Sequence, residues 1–186
     1  MISINLLAIS GSLRARSSNT EVLLAAALLA PPAVRVTVFT GLAGLPHFNP
    51  DLDVEGAVAP APVQELREHV AAADGLLICS PEYAHGVPGA LKNALDWLVS
   101  GPEIVHKPVG LFNASPRSTH AHASLTETLR TMSAVIVQGA SINLPLGGRQ
   151  LDAANIVAEP TLSRLIRSGL DALAAEIAGR AAGDQA

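Results

Sequence analysis

Short, wholly apolar runs alternate with stretches of helical period along this chain, and that alternation limits the possible folds more than any other feature. Residues 1–9 hold Ile2, Ile4, Leu6, Leu7 and Ile9, the pattern of a buried strand. In residues 22–30, Val22, Leu23, Ala26 and Leu29 recur at helical spacing until Pro31 and Pro32 stop the helix. Further strands read at 34–39, 76–79, 109–112 and 135–137, the last continuing through Ile142 and Leu144 beyond Gly139. Helices at 63–73, 88–99 and 121–132 separate them. Leu162, Leu165, Ile166, Leu173 and Ile177 mark a final amphipathic helix, and residues 179–186 read as a frayed tail. Apolar strands between amphipathic helices predict an α/β three-layer sandwich, a five-stranded parallel sheet with helices on both faces. Residues 1–186 contain no internal repeat and no linker, and read as a single domain.

In such sheets ligands bind beyond the carboxyl ends of the strands, near the point where strand order reverses. For the order 2-1-3-4-5, the loops after strands one, three and four meet there: residues 10–19, 80–87 and 113–120. Residues 41–62 form a long connection rich in Pro and Gly, and a loop of that length needs a function of its own.

The first loop reads "SGSLRARSSNT". Gly11 allows a tight turn, and Ser10, Ser12, Ser17, Ser18 and Asn19 carry hydroxyl or amide groups. The loop runs into a helix N-terminus, whose free N–H groups and dipole favour an anion. Arg14 and Arg16 add guanidinium forks suited to phosphate. This is a phosphate cradle built from hydroxyls, since neither a Walker loop nor a Gly-x-Gly-x-x-Gly fingerprint is present. The bland alternative is a solvated loop with one Ser or Asn cap.

The second loop, "PEYAHGVPGALKNALDW" at 81–97, leaves strand three with two prolines and two glycines before its helix begins. Backbone N–H groups can come close to a ligand where no bulky Cβ intervenes, and Gly86 serves that approach. Pro88 suits a first helical turn. Leu91, Leu95, Trp97 and Leu98 read as core, Lys92 and Asp96 as a structural i,i+4 pair, and Tyr83 either packs or stacks on a ring. His85 is either a surface histidine or a contact to a substrate.

Composition narrows the function. Lys and Arg total only 12, scattered, against a net charge of −4, which argues against a nucleic-acid partner. No apolar run reaches the roughly 18–20 residues of a membrane span, and the N-terminus lacks the basic segment and cleavage site of a secretory leader. The single cysteine, Cys79, excludes a disulfide framework or a multi-cysteine metal site, reads as a buried inert thiol, and points to a reducing cytoplasm. His120 and His122, spaced i,i+2 with no carboxylate or cysteine cluster, do not suggest a metal site.

"GSLRARSSN" at 11–19 together with "PEYAHGVPGALKNALDW" resembles the NAD(P)H-dependent FMN reductase family, whose members include chromate, quinone and azo-dye reductases. The resemblance implies a flavodoxin-like fold and FMN as cofactor, with NADPH or NADH as co-substrate. A hydride passes from nicotinamide to flavin, and electrons then pass to a small-molecule acceptor such as a free flavin, quinone, chromate or azo compound. It places Ser10, Ser12, Arg14, Ser17 and Asn19 at the FMN phosphate, leaves Arg16 at a variable position of the motif as a solvated charge, and sets Pro81, Glu82, Tyr83, Ala84 and His85 around the isoalloxazine ring, with Gly86 beside them. It also implies a homodimer or homotetramer with the site near a subunit interface, and "LPHFNPDLD" at 45–53 resembles a family loop near that region. A flavodoxin-like electron carrier or flavin-binding module is the alternative. Two features depart from the pattern. Ala84 stands where the family often has Asn, removing one polar group from the flavin rim. The third loop, "NASPRSTHA", lacks the usual glycines, although Ser115, Arg117, Ser118 and Thr119 can still donate to the ring edge.

Overall fold

The computed structural model describes residues 3–54 and 56–183. Its elements run β1 (Ile4–Ser10), α1 (Ser18–Leu29), β2 (Val34–Phe39), α2 (Ala61–Ala72), β3 (Gly75–Cys79), α3 (Gly89–Asp96), β4 (Pro108–Asn113), α4 (Thr119–Thr131), β5 (Val135–Ile136), β6 (Ile142–Asn143), α5 (Ala153–Ala158) and α6 (Pro160–Gly183). The strands are parallel in the order β2-β1-β3-β4-β5, the predicted order, with Ile9 opposite both Phe39 and Ile78 at the carboxyl end.

Period-two alternation divides the core between the two faces of the sheet. Leu6, Ala8, Leu77, Cys79 and Phe112 pack against α1, α5 and α6. Leu7, Ile9, Leu76, Ile78, Val109 and Leu111 pack against α2, α3 and α4. Because β1, β3 and β4 are covered on both sides, their residues are apolar nearly throughout, which is why they read so clearly in the sequence.

The edge beyond β4 differs from the expected single fifth strand. β5 pairs with the start of β4 and β6 with its end, while a 3₁₀ turn at Gln138–Ala140 lifts the chain between them and buries Ala140. The last helix also differs from expectation. It continues through residues 179–183, because Arg180 bonds Glu176 at 2.7 Å and His106 O at 3.2 Å, fastening this turn to the chain before β4. The rest of the expected frayed tail, 184–186, lies outside the described residues.

The connection after β2 is clamped rather than loose. Asn93 on α3 accepts from Phe48 N–H at 2.7 Å and donates to Pro46 O at 2.9 Å. Trp97 Nε1–H reaches the same Pro46 O at 2.8 Å, and the Trp97 ring meets Phe48 edge-on. Further along, Arg67 and Ser100 hold the Asp53 carboxylate at 2.8 and 2.6 Å. The segment "LPHFNPDLD" is thereby fixed to α3 and α2, at the same end of the sheet as the other loops.

Candidate functional site

The loops after β1, β3 and β4 converge at the carboxyl edge of the sheet. Gly11 permits the closest of these approaches: a Cβ there would lie 2.4 Å from Ser80 Oγ, so the first two loops could not touch with any larger residue. The first loop is stitched by its own hydroxyls. Thr20 Oγ1 donates to Ser10 Oγ at 2.8 Å, Ser12 N–H bonds Ser10 Oγ at 3.3 Å, and Arg14 N–H bonds Ser12 Oγ at 3.3 Å. Asn19 Oδ1 accepts from Cys79 Sγ at 3.3 Å. Burial pushes that thiol up to about 12, only partly offset by a hydrogen bond from the Ala114 backbone, so Cys79 is the inert thiol expected.

Ser17 stands apart. It is the N-cap of α1, yet its hydroxyl caps nothing; the side chain is 3% exposed and Oγ has no hydrogen-bond partner among the described residues. A buried hydroxyl left unpaired costs about 1–3 kcal/mol. Ser17 lines a cleft of about 240 Å³ together with Arg16, Ser18 and Gln150. Ser18 and Gln150 also line a larger cleft of about 630 Å³, so the two are continuous. Both arginines of the loop are exposed; Arg16 lines the smaller cleft, whereas Arg14 lines neither. Two carboxylates at the small cleft are engaged elsewhere: Glu21 accepts from Ala153 N–H and Asp152 from Asn155 N–H, both at 2.8 Å, capping α5.

The larger cleft is walled by Asn19, Pro81, Glu82, Ser115 and Arg117, joined by the segment from Leu146 to Gln150. Glu82 does double duty. Its Oε2 accepts from Ala121 N–H at 2.8 Å, so an anion caps α4, whose N-cap Ser118 makes no side-chain capping bond among the described residues. Asn113 orders the third loop by accepting from Ser115 N–H at 3.1 Å and donating to Asn143 Oδ1 at 3.0 Å.

The second loop closes as a two-residue hairpin. Tyr83 and Gly86 exchange both backbone bonds, at 3.1 and 2.9 Å, and the residues between them sit at positive φ: Ala84 at 48° and His85 at 60°. This is the φ combination of a type I′ turn, which favours Asn-Gly. Gly86 itself has no positive φ, and a Cβ there would meet only Tyr83 O at an ordinary 3.6 Å. The special backbone thus lies at Ala84 and His85, not at the glycine. His85 packs its ring on His120, centroids 4.2 Å apart, with Nδ1 3.9 Å from Glu82 Oε1. Tyr83 is 55% exposed, which removes the core-packing alternative. Leu91, Leu95, Trp97 and Leu98 are buried, and Lys92 pairs with Asp96 at 2.5 Å.

From the sequence Asn93 reads as a tie between the second loop and its helix and Gly147-Gly148 as a turn; the sequence does not show that Asn93 clamps the connection at 46–48 instead, or that 146–150 walls the cleft. The second carried a signal in Gly147-Gly148-Arg149-Gln150, a double glycine followed directly by polar side chains.

The comparisons agree with this geometry. A family model described as NADPH-dependent FMN reductase matches residues 4–148. An NAD(P)H-dependent FMN reductase of Pseudomonas aeruginosa is 32% identical over 175 residues, 91% of this chain and 93% of the relative. A quinone reductase of Escherichia coli is 40% identical over 101 residues, 53% of each chain. Among solved structures, the flavoenzyme NAD(P)H:(acceptor) oxidoreductase FerB of Paracoccus denitrificans superposes with a TM-score of 0.71 at 24% identity, covering 91% of this chain and 97% of its own. These matches, with the parallel sheet and its convergent loops, establish that the chain belongs to the NADPH-dependent FMN reductase family.

Proposed function

We propose that this protein binds FMN across the carboxyl edge of the sheet and transfers reducing equivalents from NADPH or NADH to a small acceptor, a quinone or free flavin. The observation that carries this reading is Ser17 Oγ, buried and unpaired at the first turn of α1. A phosphate there would satisfy the hydroxyl, meet the N-terminal N–H groups of α1 and draw on Arg16. Arg14 supplies a further exposed cation on the same loop, and Ser10, Ser12 and Asn19 hold the cradle's shape through their internal bonds.

The chemistry supplied by bound FMN is two-electron transfer between nicotinamide and acceptor. The chain's own part is to position and to shield. Pro81, Ala84, Gly86 and Ser115 offer backbone and small side chains to the ring edge. Tyr83 and His85, exposed on the hairpin, face whatever stacks above. Glu82 and the His85–His120 contact fix that hairpin to α4. Leu13, Leu52, Val54 and Tyr83 are exposed apolar side chains on loops at the same end of the sheet, which supports a homodimer or homotetramer that covers them. The buried lone cysteine supports a cytoplasmic location.

Titration of the apo-protein with FMN tests the site. Ser17→Ala deletes a hydroxyl that the free protein leaves unpaired, so the variant should melt no lower than the parent while binding FMN about tenfold more weakly, the equivalent of about 1.4 kcal/mol. Equal FMN affinity would refute the assignment. Oxidation of NADPH and NADH by the FMN-loaded protein with a panel of quinones and flavins then identifies the acceptor class.

A further inference from the structure

We propose that Arg117 and Arg149 form a second anion subsite in the larger cleft, one that takes a phosphate group of the nicotinamide nucleotide. The inference rests on the flavin reading above. The two arginines come from separate loops, the β4–α4 connection and the turn after β6, and line the same cleft as Asn19, Pro81 and Ser115. Neither pairs with a carboxylate among the described residues. That is not what charge balance alone would give, since Asp and Glu outnumber Lys and Arg by 16 to 12. Glu82, the carboxylate on this cleft, is turned onto Ala121 N–H at the start of α4.

Arg149 is held in place before any ligand arrives. Its Nε donates to Leu146 O at 2.9 Å and Nη2 approaches Pro145 O at 3.4 Å, while Nη1 makes no hydrogen bond to the described residues. The turn that does this needs Gly147 and Gly148 at φ of 62° and 78°, a conformation open chiefly to glycine. A guanidinium tethered on one side and free on the other loses less freedom on binding than a solvated one.

The flavin phosphate does not need these residues. Ser17 Oγ lies at the smaller cleft with Arg16, at the α1 end, and one phosphate satisfies that site. The reaction brings a second phosphorylated ligand to the same cleft. The nicotinamide nucleotide carries a pyrophosphate in both its forms and a 2′-phosphate in NADPH alone, and either group suits a pair of arginine forks.

The test uses FMN-loaded protein with Arg117→Gln, Arg149→Gln and the double variant, and calorimetric titration with NADP⁺ and NAD⁺. Each single change should weaken NADP⁺ about tenfold and the double change more; because Arg117 can also donate to the ring edge, FMN affinity is titrated alongside, and the nucleotide loss should exceed any flavin loss at least about fivefold. Loss confined to NADP⁺ identifies the 2′-phosphate, and equal loss for both nucleotides identifies the pyrophosphate; both outcomes support the subsite. Because Arg149 also ties its own turn, Arg149→Lys is the control: at an equal melting temperature it should keep more nucleotide affinity than Arg149→Gln. A double variant that binds both nucleotides within twofold of the parent overturns the proposal. So does a variant that loses FMN in step with nucleotide, which would place the arginines on the flavin phosphate. A parent protein that takes up no FMN overturns the flavin reading and the subsite with it, whereas a flavin-loaded protein with unaffected variants overturns the subsite alone.

Discussion

Replacing Ala84 by glycine should stabilise the protein, although it deletes a methyl group and loosens the unfolded chain. Ala84 lies at φ 48° in a hairpin whose two ends, Tyr83 and Gly86, exchange both backbone bonds. A non-glycine residue in the left-handed region costs about 1–2 kcal/mol through the clash of Cβ with the following carbonyl. Glycine removes that cost and adds about 0.5–1 kcal/mol of unfolded-state entropy. Because Ala84 is exposed, no packing is lost with the methyl. At the middle of both ranges, about 1.5 against about 0.75 kcal/mol, the balance is a gain of about 0.75 kcal/mol. For a chain of this size each kcal/mol moves the midpoint by about 2–4 °C, so Tm should rise by about 1–4 °C. Thermal melts of the apo-protein measure this directly, with urea denaturation as the check. Ala27→Gly inside α1 is the control, since there the same deletion should lower stability by about 1 kcal/mol. Ala84→Val probes the opposite direction and should lose more, because a β-branched residue tolerates positive φ least. An Ala84→Gly variant that melts at or below the parent would show that the hairpin is not strained at this residue.

Two further outcomes follow from the long connection after β2. Asn93→Ala strips Phe48 N–H of its acceptor and leaves Pro46 O with Trp97 alone, so it should cost about 1–3 kcal/mol in denaturant unfolding and expose residues 46–54 to proteolysis below the global transition. Asp53 should make stability acid-sensitive: burial pushes its carboxyl up, but hydrogen bonds from Ser100 and Arg67 and the charge of Arg67 outweigh this and hold it below its ordinary value. Its contribution is therefore complete above about pH 4 and is lost as pH falls through the lowered folded value, and Asp53→Asn should flatten the dependence of unfolding free energy on pH in that acid range.

The fold was legible where burial is two-sided. β1, β3 and β4 differ from their readings only at their termini, because strands covered on both faces have little freedom in residue type. β2, an edge strand of alternating burial, matches at both ends through its β-branched residues. The misreadings share a cause in tertiary contacts that leave no local pattern. α1 begins at Ser18 rather than at Val22, since its polar first turn is half-buried and its Asn19 buried, bonding Cys79 across the layers. α5 was not anticipated at all. It is six residues long, buries only Ile156, and draws a cap from Glu21 at the far end of the chain. The fifth strand broke in two where Ala140 turns into the core between β5 and β6.

The site was legible as a place and less so as a set of roles. Counting hydroxyls on the first loop treats Ser10, Ser12 and Ser17 alike, yet Ser10 and Ser12 are committed to the loop's own geometry and only Ser17 keeps a buried oxygen unpaired. Residue type indicates what a group can bond, and only the folded partner list shows which bonds remain to be made. The same holds for the second loop. Its prolines and glycines suggested close backbone approach at Gly86, but the strained backbone sits at Ala84 and His85, where nothing in the residue types signals a turn. The hairpin keeps its shape because Glu82 and His85 fasten it to α4 from outside. If that support is what holds two side-chain-bearing residues at positive φ, Glu82→Gln should weaken the hairpin more in the parent than in an Ala84→Gly background, and equal effects in both would separate the strain from the anchor.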